Sequence, residues 1–341
     1  MPTKVNTKIR PGKVIDGYEI VSLIGAGGFG GVYKVKDKKT NQLFAMKTED
    51  MYSKRKSLPD EIEIMRNIES DYFPKLRTSG TDAKLKINYF VMNIYGPSLT
   101  NINQYHDKKL ELNAAYSICY ELIDIIQKFH SYGYVHCDIK PSNFLLQENK
   151  NYHMVLIDFG LSEKHIDPVT NQPFPFKDHL NFSGTRKYAS IGAHKGFEQG
   201  RRDDLMSWFY SFLELAYGPL PWHLLKENSK VLRMKENLNL FEISNIPRQI
   251  NEIYNYISGL RYEDTPDYAR IKSLFMDAMS KIGADSFHWD SFIAENYGIS
   301  SMLPKSKSHG HHKKKNKKEK HYKSHSMIAN QDAKNGEIGM N

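Results

Sequence analysis

Two short segments near the middle of the chain combine the residue types that phosphate chemistry requires. Residues 136–143 read His-Cys-Asp-Ile-Lys-Pro-Ser-Asn, so a carboxylate (Asp138), an ammonium group (Lys140) and an amide (Asn143) fall within six positions. An acidic turn, Asp158-Phe159-Gly160, follows. Carboxylate and amide oxygens suit Mg²⁺, a hard cation that also binds phosphate. We interpret Asp138 as the base that orients an acceptor hydroxyl, Lys140 as a cation that offsets phosphoryl charge, and Asn143 and Asp158 as Mg²⁺ ligands.

A glycine-rich segment closer to the N-terminus is a second candidate for phosphate binding. Residues 25–32 contain the spacing G-x-G-x-x-G-x-V. Dinucleotide-binding folds have glycines at the same spacing. In those folds the glycines open a helix, whereas here residues 32–36 alternate as a strand does. A glycine loop between two strands lets backbone amides approach phosphates. The alternative, a plain glycine-rich hairpin, is disfavoured by the two segments downstream.

Lys47 ends the apolar run Leu43-Phe44-Ala45-Met46 that follows the glycine segment. A lysine on a strand beside a cleft can bind nucleotide phosphates, and it needs a carboxylate to hold it in place. Glu61, on the next predicted helix, is the first candidate, and Glu63 is the alternative. A lysine on an exposed strand is the competing interpretation, and the placement of Lys47 argues against it.

The elements that must position these groups divide the chain into a β-rich part and a helical part. Strands are predicted from Tyr18 and at 32–36, 43–47 and 89–92, with one helix at 59–68. Helices are predicted at 112–130, 203–217, 250–260 and 268–282. We therefore expect an α+β, bilobal fold. The predicted bounds are a flexible arm at 1–13, a domain at 14–298 (lobes 14–95 and 96–298) and a disordered tail at 299–341.

Composition fits a globular protein with a charged tail. The 341 residues are 40% hydrophobic, and the two cysteines give no disulfide framework, which fits a reducing compartment. No signal peptide or membrane span is evident, so we expect a cytoplasmic protein without membrane contact. We also expect a monomer. Residues 304–341 hold ten Lys against three acidic residues and thus carry +7 of the net charge of +9. This tail is a candidate nuclear address, and nucleic acid is expected as a partner only through it.

The motifs run from residue 18 to about 292 and resemble those of a eukaryotic protein kinase. Where most kinases have Ala-Pro-Glu, this chain has Ser190-Ile191-Gly192. Several segments are similar to the casein kinase 1 superfamily: Gly96-Pro97-Ser98-Leu99, Tyr188-Ala189-Ser190-Ile191, Arg201-Arg202-Asp203-Asp204-Leu205, Leu220-Pro221-Trp222 and Pro266-Asp267-Tyr268. Ala193-His194-Lys195 and Phe287-His288-Trp289-Asp290 are more similar to its tau-tubulin kinase branch.

This resemblance implies a serine/threonine kinase that uses ATP and Mg²⁺. Lys140 and Thr185 fit a serine or threonine acceptor, and Met92 matches the gatekeeper position. Catalytic positions match at Asp138, Lys140, Asn143, Lys47 and Glu61. Positions that match ATP contacts are Ile24, Gly25, Ala26, Gly27, Gly28, Phe29, Gly30, Val32, Ala45, Lys47, Met92, Asn93, Ile94, Tyr95 and Leu145.

The resemblance also implies acidic or phosphoprimed protein substrates. Arg186, Lys187 and Arg233 match or flank the anion-binding positions, and Arg201 and Arg202 are further candidates. The alternative interpretation of these cations is a solvated basic surface.

Two further positions concern residues 136–143, which the resemblance identifies as the catalytic loop. Asp204 matches the aspartate that anchors this loop in kinases. Its neighbour Asp203 is predicted to lie at the surface as a partner of Arg201 or Arg202. The alternative for both residues is an acid at a helix N-terminus. Cys137 replaces the arginine that usually binds a phosphate on the activation segment, which predicts activity without that phosphate.

Two functions other than that of an active kinase are possible interpretations of the sequence. A pseudokinase scaffold would be expected to lack one of the catalytic groups, and all are present. A nucleic-acid-binding protein is suggested by the tail alone; deleting residues 304–341 would then abolish that binding and spare phosphorylation.

Overall fold

The computed structural model describes residues 9–26, 30–53, 56–149, 151, 153–243, 245–284 and 287–298, which form a β-rich lobe followed by a helical lobe. This arrangement confirms the predicted α+β, bilobal architecture. The predicted tail at 299–341 lies outside the described residues, as do residues 1–8 of the predicted arm. Residues 9–13 are hydrogen-bonded to the first sheet: Gly12 N donates to Ile20 O over 2.8 Å, and Ile20 N donates to Lys13 O over 2.8 Å.

The first lobe is one antiparallel sheet with a single helix. Its elements are β1 (Val14–Ile15), β2 (Tyr18–Ala26), β3 (Gly31–Asp37), β4 (Leu43–Asp50), α1 (Leu58–Asn67), β5 (Leu76–Asp82) and β6 (Ile87–Asn93). The strand order is β1-β2-β3-β4-β6-β5. β4 is buried on both faces: Phe44 and Met46 belong to a small core within the sheet, and Ala45 belongs to the main core. The central position of β4 fixes Lys47, which is paired in register with Val32 on β3 and Phe90 on β6.

The second lobe is helical, with short strands around the catalytic loop. Its elements are α2 (Leu99–Tyr105), α3 (Leu112–Ser131), β7 (Tyr134–Val135), β8 (Phe144–Leu146), β9 (Met154–Leu156), β10 (Glu163–Lys164), α4 (Ile191–His194), α5 (Arg201–Tyr217), α6 (Asn228–Glu236), α7 (Arg248–Gly259), α8 (Tyr268–Ile282) and α9 (Trp289–Asn296), with 3₁₀ turns at Pro141–Asn143 and Leu240–Glu242. Among the described residues, no helix is both long and apolar enough to cross a membrane.

The two longest helices form the centre of this lobe. α3 places Ile118, Leu122, Ile125 and Phe129 on one face at helical spacing, and all four are fully or almost fully buried. α5 is buried on nearly every face and ends at Gly218, whose φ of +94° stops the helix. The four predicted helices of this lobe correspond to α3, α5, α7 and α8, with each end within two residues of its predicted place.

Candidate active site

The catalytic loop between β7 and the 3₁₀ turn at 141–143 holds Asp138 and Lys140 in contact. Lys140 Nζ lies 2.5 Å from Asp138 Oδ2 and 2.9 Å from Thr185 Oγ1. Asp138 is only 8% exposed, and its Oδ1 atom has no hydrogen-bond partner among the described residues. One carboxylate oxygen is therefore neutralised by lysine, and the other is left to accept a proton or a hydrogen bond from an acceptor hydroxyl.

Gly184 brings the following segment against this loop. Its φ is +100°, and a Cβ atom at this position would lie 2.8 Å from Cys137 O and 3.8 Å from Asp138 Oδ1. A side chain at residue 184 would therefore push the segment away from the loop. The close approach places Thr185 within reach of Lys140.

Asn143 and Asp158 present the predicted Mg²⁺ ligands. Asn143 Nδ2 donates to Asp138 O over 3.0 Å, which turns the amide oxygen away from the loop backbone and leaves it for another partner. Asp158 has a φ of +71°, and its side chain is 42% exposed with Oδ1 bound by Lys47. Among the described residues, no group of three or more His, Cys, Asp or Glu forms a metal cage. This sparse oxygen set fits Mg²⁺, which usually takes one or two protein ligands and completes its shell with phosphate and water.

Lys47 on β4 joins the two lobes through two carboxylates. Its Nζ atom lies 2.6 Å from Glu61 Oε2 on α1 and 2.7 Å from Asp158 Oδ1. The predicted Lys47–Glu61 pair is therefore present, whereas Glu63 pairs with Lys164 at 3.1 Å on the surface. Burial lowers the pKa of Lys47, but the carboxylates of Glu61 and Asp158 outweigh it and raise that pKa above its usual value. Burial likewise opposes ionisation of Asp158, and the Lys47 charge nevertheless lowers its pKa.

The aromatic residue of the acidic turn fixes the position of Asp158. Phe159 is fully buried and stacks on Phe129 of α3, with ring centroids 5.2 Å apart and planes at 10°. His136 meets Phe159 edge to face at 5.8 Å, so this histidine packs against the turn. Phe159 N also donates to Glu61 Oε1 over 3.3 Å. The turn is therefore held by the core of the helical lobe and by α1 together.

The glycine segment lies between β2 and β3, as predicted. Gly25 and Ala26 end β2, whereas Gly27, Gly28 and Phe29 lie outside the described residues. A Cβ atom on Gly30 would lie 1.7 Å from Thr48 O, so no side chain fits there without displacing β4. The last part of the segment thus runs along the strand that carries Lys47, whereas Gly25 and Ala26 pair with β3.

The predicted ATP contacts outside the glycine segment lie on both lobes. Ala45 and Met92 are buried partners in the β4–β6 register, and Val32 faces Lys47 across β3 and β4. Ile24, at the end of β2, is 50% exposed. The remaining positions are half-buried: Asn93 ends β6, Ile94 and Tyr95 follow it, and Leu145 lies on β8. Gly96 N donates to Leu146 O over 2.8 Å, which connects the segment after β6 to β8.

Asp204 anchors the catalytic loop from α5. Its carboxylate accepts from His136 N (2.6 Å), Cys137 N (2.9 Å) and His130 Nε2 (2.9 Å). Burial opposes ionisation, but the hydrogen bond and charge of His130 and the backbone N–H of His136 lower the pKa of Asp204. His130 also contacts Tyr268 OH through Nδ1 at 2.6 Å, so α3, α5 and α8 all support the loop. His130 belongs to none of the motifs in the sequence, so its part in this network was not predicted.

Asp203 does not lie at the surface, so that prediction was wrong, whereas the alternative of an acid at a helix N-terminus agrees with the structure. The residue is 3% exposed, and its carboxylate accepts from Gly200 N (2.8 Å) and Ser190 Oγ (2.5 Å). It caps the start of α5 and holds residue 190 there, because helix N-terminal amides need an acceptor. Arg202 Nε lies 3.6 Å away, a contact secondary to these hydrogen bonds.

The predicted anion-binding cations are only partly brought together. Arg186 is exposed and donates from Nε to Asn228 Oδ1 (2.6 Å) at the start of α6, the helix that also carries the exposed Arg233. Lys187 is instead paired with Glu214. Arg201 and Arg202 donate to backbone carbonyls of residues 263 and 260, so they are used in holding the connection between α7 and α8.

Comparison with known proteins agrees with this geometry. A family model described as the protein kinase domain matches residues 18–281. A Dictyostelium discoideum protein described as a probable serine/threonine-protein kinase is 31% identical over 302 residues, which is 86% of this chain. This chain spans 60% of the length of that relative.

Proposed function

The chain belongs to the protein kinase family, and we propose that it is an active serine/threonine kinase that transfers the γ-phosphoryl group of ATP to protein hydroxyls. The observation that carries this proposal is the contact of Lys140 Nζ with both Asp138 Oδ2 and Thr185 Oγ1. This contact occupies Oδ2 and leaves Asp138 Oδ1 free to accept a hydrogen bond from a serine or threonine hydroxyl. The lysine remains next to the point where phosphoryl charge would develop.

The described residues divide the work as follows. Asp138 Oδ1 orients the acceptor hydroxyl and takes up its proton. Lys47, held by Glu61, binds phosphate oxygens of the nucleotide, and Lys140 offsets charge on the transferring group. Asn143 and Asp158 would hold Mg²⁺, which when bound neutralises charge on the β- and γ-phosphates. The glycine segment would supply backbone amides to the phosphates.

We further propose that the chain belongs to the casein kinase 1 superfamily, near its tau-tubulin kinase branch, and prefers acidic or phosphoprimed substrates. Arg186, which contacts the start of α6, and Arg233 on α6 are both exposed. They support this preference, because exposed cations attract anionic peptides. Replacing both by Ala is expected to raise the KM for an acidic serine peptide and to leave the KM for a neutral serine peptide unchanged. Equal effects on both peptides would argue against an anion site here.

Phosphorylation of casein and of an acidic serine peptide by the purified chain with Mg-ATP tests the activity itself. Lys47→Met should reduce turnover by about 10²-fold or more, because it removes a preorganised charge at the phosphates. The matched control is Lys39→Met, in the exposed turn between β3 and β4, which should retain wild-type turnover. ATP binding by the wild type without phosphoryl transfer would favour a pseudokinase scaffold instead.

A further inference from the structure

Lys235 on α6 is a fully buried lysine that lies behind the segment 185–190. Its Nζ atom donates to Ala189 O over 2.6 Å and to Arg186 O over 3.0 Å. Val231, one turn earlier on the same face of α6, is also buried. Within the part of the chain that the structure describes, no carboxylate oxygen lies at ion-pairing distance from Nζ. The amine is therefore used to hold two backbone carbonyls of the segment.

The surroundings of Lys235 are aromatic. Nζ lies 4.7 Å from the ring centroid of Tyr210 and 5.3 Å from that of Trp222, and His194 Nε2 on α4 is 3.2 Å away. Ring faces attract a cation, but they compensate only part of the cost of removing an amine from water. Burial accordingly lowers the pKa of Lys235 to about 7. An apolar side chain of similar length would fill this space at lower cost, but it would leave both carbonyls without a donor.

The same segment is held at each of its other positions by neighbouring side chains. Trp222 Nε1 donates to Lys187 O over 2.8 Å, and the side chains of Lys187 and Tyr188 both bind Glu214 of α5. Ser190 is bound by Asp203, as described above. At the other end, Thr185 Oγ1 meets Lys140. Contacts from side chains of the helical lobe thus hold the segment in place. In a kinase with arginine at the position of Cys137, a phosphorylated residue bound to that arginine would have this role.

We propose that Lys235 is a positioning residue that fixes the segment 185–190 against α6 and so places Thr185 beside Lys140 without a phosphate on the segment. It acts through the backbone of Arg186 and Ala189 and does not reach the reacting atoms. The kinetic consequence of this inference rests on the proposed kinase function. The structural consequence, that the amine of Lys235 holds the backbone of Arg186 and Ala189, does not.

Hydrogen exchange of the intact chain tests the structural consequence. Tyr188 N and Ala189 N both donate to Thr185 O over 2.9 Å, so their amides report directly on the segment. In Lys235→Met, which keeps the length of the side chain and removes the amine, these amides should exchange about tenfold faster, while amides of α3 keep their protection. The Tm should change little, because the removal of a buried amine offsets the cost of the two carbonyls that lose their donor. The control is Lys281→Met, an exposed lysine in the last turn of α8.

Unchanged exchange at residues 188 and 189 would overturn the inference. So would faster exchange throughout the lobe with a lower Tm, because that pattern describes general support of the fold. Should Lys235→Met fail to fold, Lys235→Arg decides, since it keeps a cationic donor: retained protection supports the inference and lost protection overturns it.

Steady-state kinetics test the functional consequence. Lys235→Met should raise the KM for the peptide substrate about tenfold and leave the KM for ATP unchanged, because only the segment beside the acceptor is loosened. Lys235→Arg should recover part of the peptide affinity. Equal changes in both KM values would count against a positioning role. An inactive wild-type protein would refute the proposed function, whereas the exchange experiment would still decide the role of Lys235.

Discussion

The carboxylate of Asp204 accepts a hydrogen bond from the backbone N–H of His136 over 2.6 Å, which attaches the first residue of the catalytic loop to α5. A second backbone N–H, that of Cys137, is bound by the other oxygen of the same carboxylate at 2.9 Å. Cys137 has a φ of +63°, a conformation that most residues avoid. Two charge-assisted hydrogen bonds from a buried carboxylate can hold such a backbone in place. The position of Asp138 therefore depends on Asp204.

Asp204→Asn should lower kcat about tenfold or more, because the amide group can accept from only one of the two backbone N–H groups and presents a donor to the other. The KM for ATP should change little, since the nucleotide is held mainly by other residues. Asp277→Asn, on the exposed face of α8, is the matched control. A variant with wild-type kcat would show that the loop is positioned without this carboxylate.

Activity should not require phosphate on the activation segment. The contacts of residues 185–190 with Lys235, Trp222 and Glu214 hold the segment directly, and Cys137 supplies no cation to bind a phosphate. Protein treated with a phosphatase, and shown by mass spectrometry to be unmodified, should retain the turnover of untreated protein. Turnover that disappears with the phosphate and returns on rephosphorylation would contradict this prediction.

Gly30→Ala should damage the nucleotide site and the sheet together. The added Cβ atom would overlap Thr48 O, so β4 must move, and overpacking of this kind costs about 1–3 kcal/mol. We expect a lower free energy of unfolding and a higher KM for ATP, measured by urea denaturation and steady-state kinetics. Gly259→Ala is the control, because nothing lies within 4 Å of a Cβ atom there. Equal behaviour of the two variants would mean that the glycine segment tolerates a side chain.

Stability should fall in acid partly because of His165. This residue is 1% exposed and packs on Tyr262, and burial lowers its pKa from 6.5 to about 4. Between these two values the unfolded chain binds a proton that the folded chain does not. The free energy of unfolding therefore falls as pH falls from 6.5 to 4, by about 3 kcal/mol from this residue.

His165→Gln should flatten the dependence of unfolding free energy on pH in that window, as measured by urea denaturation at several pH values. His179→Gln is the control, since the His179 side chain is 93% exposed. The control should keep the wild-type slope. A wild-type slope in His165→Gln as well would assign the acid sensitivity to other groups.

The sequence predicts which polar groups lie together at the site, because each belongs to a motif with a fixed spacing and a known chemical need. Lys47 requires a carboxylate, and helical spacing puts Glu61 where the structure has it. The long helices α3, α5 and α8 are also predictable, since their apolar residues repeat over several turns. By contrast, β7 and β10 have two residues each, too few to show any periodicity.

Buried polar residues account for what the sequence does not predict. Asp203 was predicted as a surface acid because nothing in the local sequence shows that Ser190, on the segment before α4, converges on it. Lys235 is one of many lysines, and its burial depends on the rings of Tyr210 and Trp222 from other elements. One local signal was available: Val231 lies four residues earlier, so an apolar and a basic residue share one face of α6.

The most direct test of the account is the turnover of Asp138→Asn. This change keeps the size of the side chain. It removes the charge from Oδ1, the oxygen that is free to accept the proton of the substrate hydroxyl. We predict that Mg-ATP still binds, as measured by a shift in Tm, and that phosphorylation of an acidic serine peptide falls by about 10³-fold. Phosphorylation at the wild-type rate by Asp138→Asn would contradict the assignment of Asp138 as the base and the mechanism built on it.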